Sequence, residues 1–176
     1  FYHDSEMIKV ITGVRRCGKS SLMQTIVEEL KEQGVPEANL VFLDLDSKKH
    51  KSIKKPEQLE QEIDKLCSAE GMKYLFIDEI QNIIGFEEII NAYRGEKEYS
   101  VFITGSNSYL LSGELITKLT GRYIEIEMLP LSFEEYIDMK QYYGKNVSPN
   151  PTEELDKYIN EGGFPKTIFY DNPEDK

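Results

Sequence analysis

Residues 13–20 read GVRRCGKS, and they fit the pattern G-x-x-x-x-G-K-[ST] at every position. Gly13 and Gly18 permit a tight turn that points successive backbone N–H groups inward, where they suit phosphate oxygens. Lys19 adds a point charge that reaches the β- and γ-phosphates, and the Ser20 hydroxyl is a ligand for Mg²⁺. The context fits as well. Met7, Ile8, Val10 and Ile11 form a β-prone run that ends at Thr12-Gly13. Beyond Ser20, the residues Leu22, Met23, Ile26, Val27 and Leu30 recur on one helical face, with Gly34 as a stop and Pro36 beyond it. A helix starting here places its positive end at the same spot. The stretch Gly13, Val14, Arg15, Arg16, Cys17, Gly18, Lys19, Ser20 and Ser21 is therefore assigned to nucleotide binding, mainly through its backbone.

A second motif stands at residues 74–79, YLFIDE. Four β-formers in succession suit a strand buried on both faces of a parallel sheet, and the run ends abruptly in two acids. Asp78 is the candidate to hold Mg²⁺ opposite Ser20. Glu79 is the candidate to orient and deprotonate an attacking water.

The chain has 176 residues, 32 acidic against 21 basic, and a net charge of −11. Its length allows one α/β domain with a sizeable core. The acidic balance argues against unspecific binding of duplex nucleic acid. One run goes the other way: Lys48, Lys49, Lys51, Lys54 and Lys55, with His50, read either as a solvated loop or as a contact for nucleic acid or an acidic partner. No stretch reaches the roughly 18 apolar residues of a membrane span. Cys17 and Cys67 make no disulfide framework, which points to the cytoplasm; Cys17 reads as a small space-filler inside the loop. There is no Met at the start and the end is a polar NPEDK run, so the chain reads as a piece of a longer protein.

Strands alternate with helices. Strands are expected at 7–12, 40–45, 73–78, 100–104 and 122–129, and helices at 19–33, 57–70, 86–94 and 108–120. This alternation predicts a parallel sheet with helices on both faces and ligands at the carboxyl ends of its strands. The last strand alternates, with Ile124, Ile126 and Met128 opposite Glu125 and Glu127, as expected where one face is wet. After Pro130 only helices are expected. Ser132 with Glu135 forms a capping box for one near 133–140, and another near 152–161 ends at Gly162-Gly163. The organisation is therefore a core over 1–129 and a helical lid, or the start of a second subdomain, over 130–176.

The strand at 100–104 also ends in polar residues, and Ser106 and Asn107 are candidates to sense a γ-phosphate or to cap the next helix. Arg122 is a candidate to stabilise transition-state charge, in its own chain or in a neighbour, or else an ordinary surface arginine. Arg15 and Arg16 rank behind the loop backbone as phosphate contacts. Gln81 either orients water or starts a helix.

Taken together, GVRRCGKS, LFIDEIQ, ITGSNSYLLSGEL, GRYIEIEMLPLSFEEY and GGFP resemble the prokaryotic AAA-type ATPases of poorly defined role, over about Ile8 to Pro165. Those proteins typically carry a C-terminal domain with an endonuclease-like fold, and are related to the signal-transduction ATPases that use nucleotide as a switch. The resemblance implies a P-loop NTPase three-layer sandwich of strand order 5-1-4-3-2 followed by a helical lid. It implies ATP or ADP and Mg²⁺ as ligands, with Lys19, Ser20, Asp78 and Glu79 at the nucleotide and metal positions. It places Ser106 or Asn107 at the sensor position, Arg122 in the GR segment, and GGFP at a Gly-x-Pro element of the lid. The C-terminal domain is expected to be absent from this chain.

The leading expectation is an ATPase whose turnover moves the lid and drives an attached domain. The catalytic set is Glu79, Lys19, Ser106, Asn107 and Arg122. A nucleotide switch without turnover, a small-molecule kinase and a DNA-stimulated ATPase remain open. Protein client and self-association are both left open as partners.

Overall fold

The computed structural model describes residues 1–67, 69–105, 118–119 and 121–170. The chain divides into two compact units, Phe1–Gly13 with Lys19–Glu127, and Val14–Gly18 with Met128–Lys176.

The first unit is built on five strands: β1 (Ile8–Gly13), β2 (Leu40–Asp44), β3 (Lys73–Asp78), β4 (Tyr99–Thr104) and β5 (Tyr123–Met128), whose last residue groups with the second unit. They form a parallel sheet of order β2-β3-β4-β1-β5, as expected. The order explains the sequence patterns. β1 and β4 are buried at every residue and β3 at all but Lys73, because each has a strand on both sides and helices on both faces. β2 and β5 lie at the edges, and their burial alternates.

One face of the sheet presents Val10, Val41, Leu43, Leu75, Ile77, Val101 and Ile103. It packs against Leu59 and Ile63 of α2 (Pro56–Leu66) and Phe86 and Ile90 of α3 (Phe86–Gly95). The opposite face carries a ladder of rings. Phe42 stacks on Phe76 at 6.3 Å, and Phe76 on Phe102 at 4.7 Å. The buried stripe of α1 (Lys19–Glu32), which is Met23, Ile26 and Leu30, lies outside the first cluster and touches β1 and β4. α2 is shorter than the expected 57–70 and stops at Leu66. The next residues serve another purpose: the Asn39 amide donates to the carbonyls of Glu70 (3.0 Å) and Met72 (2.9 Å), tying this segment to the start of β2. The helix expected at 108–120 lies almost entirely outside the described residues.

The second unit contains α4 (Phe133–Tyr142) and α5 (Pro151–Glu161). The capping box forms as read: the Ser132 N–H donates to Glu135 Oε2 at 2.7 Å and the Glu135 N–H to Ser132 Oγ at 3.2 Å. A buried Lys140–Glu154 pair joins the two helices. Gly162 closes α5 in the left-handed region, and Gly163 follows with φ 66°. A Cβ on Gly163 would sit 2.8 Å from the Leu131 carbonyl oxygen and 2.9 Å from the Tyr158 ring. Leu131 and Gly163 are also joined by a backbone hydrogen bond. Gly163→Ala is expected to destabilise this unit by about 1–3 kcal/mol through backbone strain, read as a lower urea midpoint.

Lys9 points into the ring-bearing face of β1 and is fully buried. Its ammonium donates to the Asp4 carbonyl and to Ser100 Oγ, and lies 5.2 Å from the Phe102 ring centre. Burial lowers its pKa to about 8, against the weaker opposing pull of Asp4. The unfolded lysine keeps its proton up to the usual value near 10.5, so the folded state regains stability as pH rises from about 8 to 10.5. Thermal melts across this window should show that Lys9→Met removes this pH-dependent component. An unchanged slope would refute it.

Candidate functional site

The parallel sheet brings polar residues together at the carboxyl ends of β1, β4 and β3, which are neighbours in that order. β1 ends in Gly13, β4 in Thr104 and β3 in Asp78. α1 begins at Lys19, whose Nζ donates to the Gly13 carbonyl at 2.9 Å, so the side chain folds back toward the end of β1. Lys19 is buried, whereas Ser20 and Ser21 are exposed. Gly13 and Gly18 have φ values of 142° and 108°, which an L side chain rarely adopts, and Arg16 is held at 71°. The Cys17 N–H donates to the Val14 carbonyl at 3.3 Å, closing a tight turn.

Asp78 is buried and Glu79 half-buried. Thr104 ties both down: its hydroxyl donates to Asp78 Oδ1 and accepts the Glu79 N–H at 3.1 Å. Glu79 sits in the left-handed region at φ 58°, a costly conformation for a side chain with a Cβ. Its Oε2 accepts from the Gln81 amide, while Gln81 Oε1 is buried with no hydrogen-bond partner among the described residues. Gln81 therefore both holds the acid and lies in the single turn that follows it.

Thr104 is a residue that sequence reasoning does not single out. The signal is present, since SVFIT ends an apolar strand on a hydroxyl; the sensor candidates Ser106 and Asn107 lie outside the described residues. Arg122 is a correction for its own chain. Its carbonyl accepts the Ile8 N–H at 3.0 Å, so it stands at the amino end of β1 and β5, the end of the sheet opposite Gly13, Thr104 and Asp78. This placement is compatible with the neighbouring-chain and the surface-arginine alternatives. Arg15 and Arg16 line, with Lys166, Phe164 and Tyr170, a pocket of about 640 Å³ within the second unit. The five lysines of the 48–55 run are all exposed, while His50 and Ile53 are buried and anchor that loop.

The residues fit a nucleotide with a divalent cation. The turn of N–H groups, the lysine and the start of α1 suit phosphates. Ser20 and Asp78 supply oxygen donors of the kind Mg²⁺ takes. Among the described residues no three His, Cys, Asp or Glu side chains gather into a metal site of their own.

Residues 5–137 match the family described as AAA domain. This chain belongs to the AAA domain family. It is 40% identical over 177 residues to an uncharacterized protein of Haemophilus influenzae, covering 98% of this chain and 43% of that protein. It is 34% identical over 171 residues to an uncharacterized protein of Methanocaldococcus jannaschii, covering 94% of this chain and 37% of the other. The chain thus spans less than half the length of the curated relatives it matches. Its fold is similar to AMPPCP-bound DnaA from Aquifex aeolicus, with a TM-score of 0.62, 17% identity, and coverage of 96% of this chain and 54% of that one. For this AAA chain, no helix among the described residues is long and apolar enough to cross a membrane.

The buried Asp78 depends on Thr104 for a hydrogen bond. Thr104→Val is expected to cost about 1–3 kcal/mol of stability in urea denaturation, because it leaves that carboxylate without its hydroxyl donor. Thr104→Ser should recover most of the loss.

Proposed function

We propose that this AAA chain binds Mg²⁺-ATP on the loop between β1 and α1 and hydrolyses it. The observation that carries the reading is the Thr104 hydroxyl, which ends the strand next to β1 and fixes Asp78 and the Glu79 backbone at the carboxyl end of β3. Family membership and the loop sequence support it. Lys19 would exchange its present acceptor, the Gly13 carbonyl, for phosphate oxygens of the β- and γ-groups. Ser20 and Asp78 would hold the cation. Mg²⁺, when bound, neutralises phosphate charge and favours attack at phosphorus. Glu79 would orient a water and accept its proton, provided that Gln81 releases the carboxylate or shares it. Ser106 and Asn107 stay in the proposal as γ-phosphate sensors. The products are ADP and phosphate, and the turnover would drive movement of the 130–176 region and of an attached C-terminal domain.

A second reading, a switch that holds nucleotide with negligible turnover, is favoured by the Glu79–Gln81 hydrogen bond. In it the carboxylate stays occupied and water is not activated. DNA stimulation through the exposed Lys48–Lys55 loop is a further alternative.

Phosphate release and nucleotide binding, measured in parallel, decide between these readings. Lys19→Ala should abolish binding. Glu79→Gln should keep binding and lower turnover by about 10²-fold or more. Normal turnover in Glu79→Gln removes Glu79 as the base. Binding without turnover in the unsubstituted chain establishes the switch, and no binding at all rejects both.

A further inference from the structure

The pocket of about 640 Å³ within the second unit has no part in the proposed function. Arg15 and Arg16 reach it from the loop after β1; Lys166, Phe164 and Tyr170 reach it from the segment that follows α5. Arg15, Arg16, Lys166 and Tyr170 are exposed, and Phe164 is half-buried. The side chains of the three cations make no hydrogen bond or salt bridge among the described residues. The one carboxylate that lines the pocket, Glu161, already accepts from the Tyr136 hydroxyl at 3.0 Å. In a chain of net charge −11, three cations gathered without acidic partners suit an anion from outside.

The rings do not stop at the pocket. Tyr170 follows Phe169 at the end of the 3₁₀ turn Pro165–Phe169. Phe169 meets Tyr143 edge-on at 4.8 Å, and Tyr143 meets Tyr142 edge-on at 5.0 Å. All four rings are exposed, Tyr142 at 84%. A row of four is more stacking surface than the single base of a mononucleotide covers. Exposed apolar surface of this extent marks an interaction site, and the neighbouring cations say of what kind. A single strand of nucleic acid brings phosphates for the cations and a π-face on every base for the rings. A duplex suits the surface less, because its bases are stacked on one another and its denser charge meets an acidic protein. An acidic peptide would use the cations and leave the rings uncovered.

We propose that this surface of the second unit binds single-stranded nucleic acid, with the three cations on its phosphates and the exposed rings against its bases. The pocket has the size that holds one nucleotide, and Tyr170 offers it a stacking face. Phe169 and Tyr143 carry the strand outward from there. Guanidinium groups add forked donors matched to phosphate oxygens. Binding of this kind tolerates any sequence, since every base stacks. DNA and RNA strands share the chemistry. The site does not rest on the proposed ATPase activity. It is also separate from the exposed lysines of the 48–55 loop, which belong to the first unit.

Fluorescence anisotropy of a labelled oligothymidylate reads this surface. Binding is expected at low salt, with log K falling against log salt at a slope of about −2, the value for three phosphates neutralised on a single strand. Lys166→Gln should flatten that slope by about 0.7. Tyr170→Leu should weaken binding about tenfold and leave the slope as it is. Both positions are exposed, so Tm should hold in each variant, which separates a lost contact from a lost fold. A duplex of the same length should bind more weakly. An oligouridylate that binds more tightly than the oligothymidylate assigns the site to RNA, and one that binds more weakly assigns it to DNA. No binding of either strand, an affinity that neither substitution changes, or equal affinity for the duplex overturns the proposal. Binding that Lys19→Ala abolishes overturns it as well, because the oligonucleotide then occupies the nucleotide loop.

Discussion

Burial of β1, β3 and β4 on both faces is the constraint from which the rest follows. A strand enclosed in this way has no room for unpaired polar side chains along its length. Polar residues are pushed to the ends, and because the strands are parallel the ends collect by type. Gly13, Asp78 and Thr104 meet at the carboxyl end, each as the last residue of its strand. Lys9 is a charged exception. It lies buried in mid-strand and keeps its ammonium only by reaching the Asp4 carbonyl, Ser100 and the face of Phe102.

At the carboxyl end, one hydroxyl does two tasks. Thr104 donates to Asp78 and accepts from the Glu79 backbone, so the carboxylate and the strained residue after it share one anchor. Strain at Glu79 persists because that anchor on one side and Gln81 on the other determine its position. A carboxylate held this way is pre-organised, and under the proposed function its hydrogen bond to Gln81 is the contact that would separate a turnover enzyme from a switch.

The two ends of the sheet differ in charge as well as in shape. One end offers a backbone turn, a lysine folded on its own loop and two acids; the other offers two arginines and a lysine around a pocket. An overall charge of −11 conceals this, because net charge averages over patches that a small anion would meet separately. The same averaging conceals the five exposed lysines of the 48–55 loop.

Much of this was legible in the chain itself. GVRRCGKS and YLFIDE place a glycine turn after β1 and an acid pair at the end of β3 because each depends on local backbone chemistry: a turn that needs glycine, and a strand that must end before it can carry charge. The alternation of Glu125 and Glu127 with Ile124, Ile126 and Met128 marks an edge strand for the same local reason. What the sequence alone could not supply was adjacency. Thr104 looks like any polar strand end until β4 is seen to lie between β1 and β3, and Arg122 looks like a contact for its own chain's site until the direction of β5 carries it to the far end of the sheet. Likewise Arg94, Lys97 and Arg122 come to line one pocket only through the fold, since Arg122 lies far from the other two in the chain. Sequence by itself determined which residues can do chemistry, since that depends on side-chain type and local geometry. Tertiary structure alone decided which of them meet, because strand order and direction are set by packing between segments far apart in the chain.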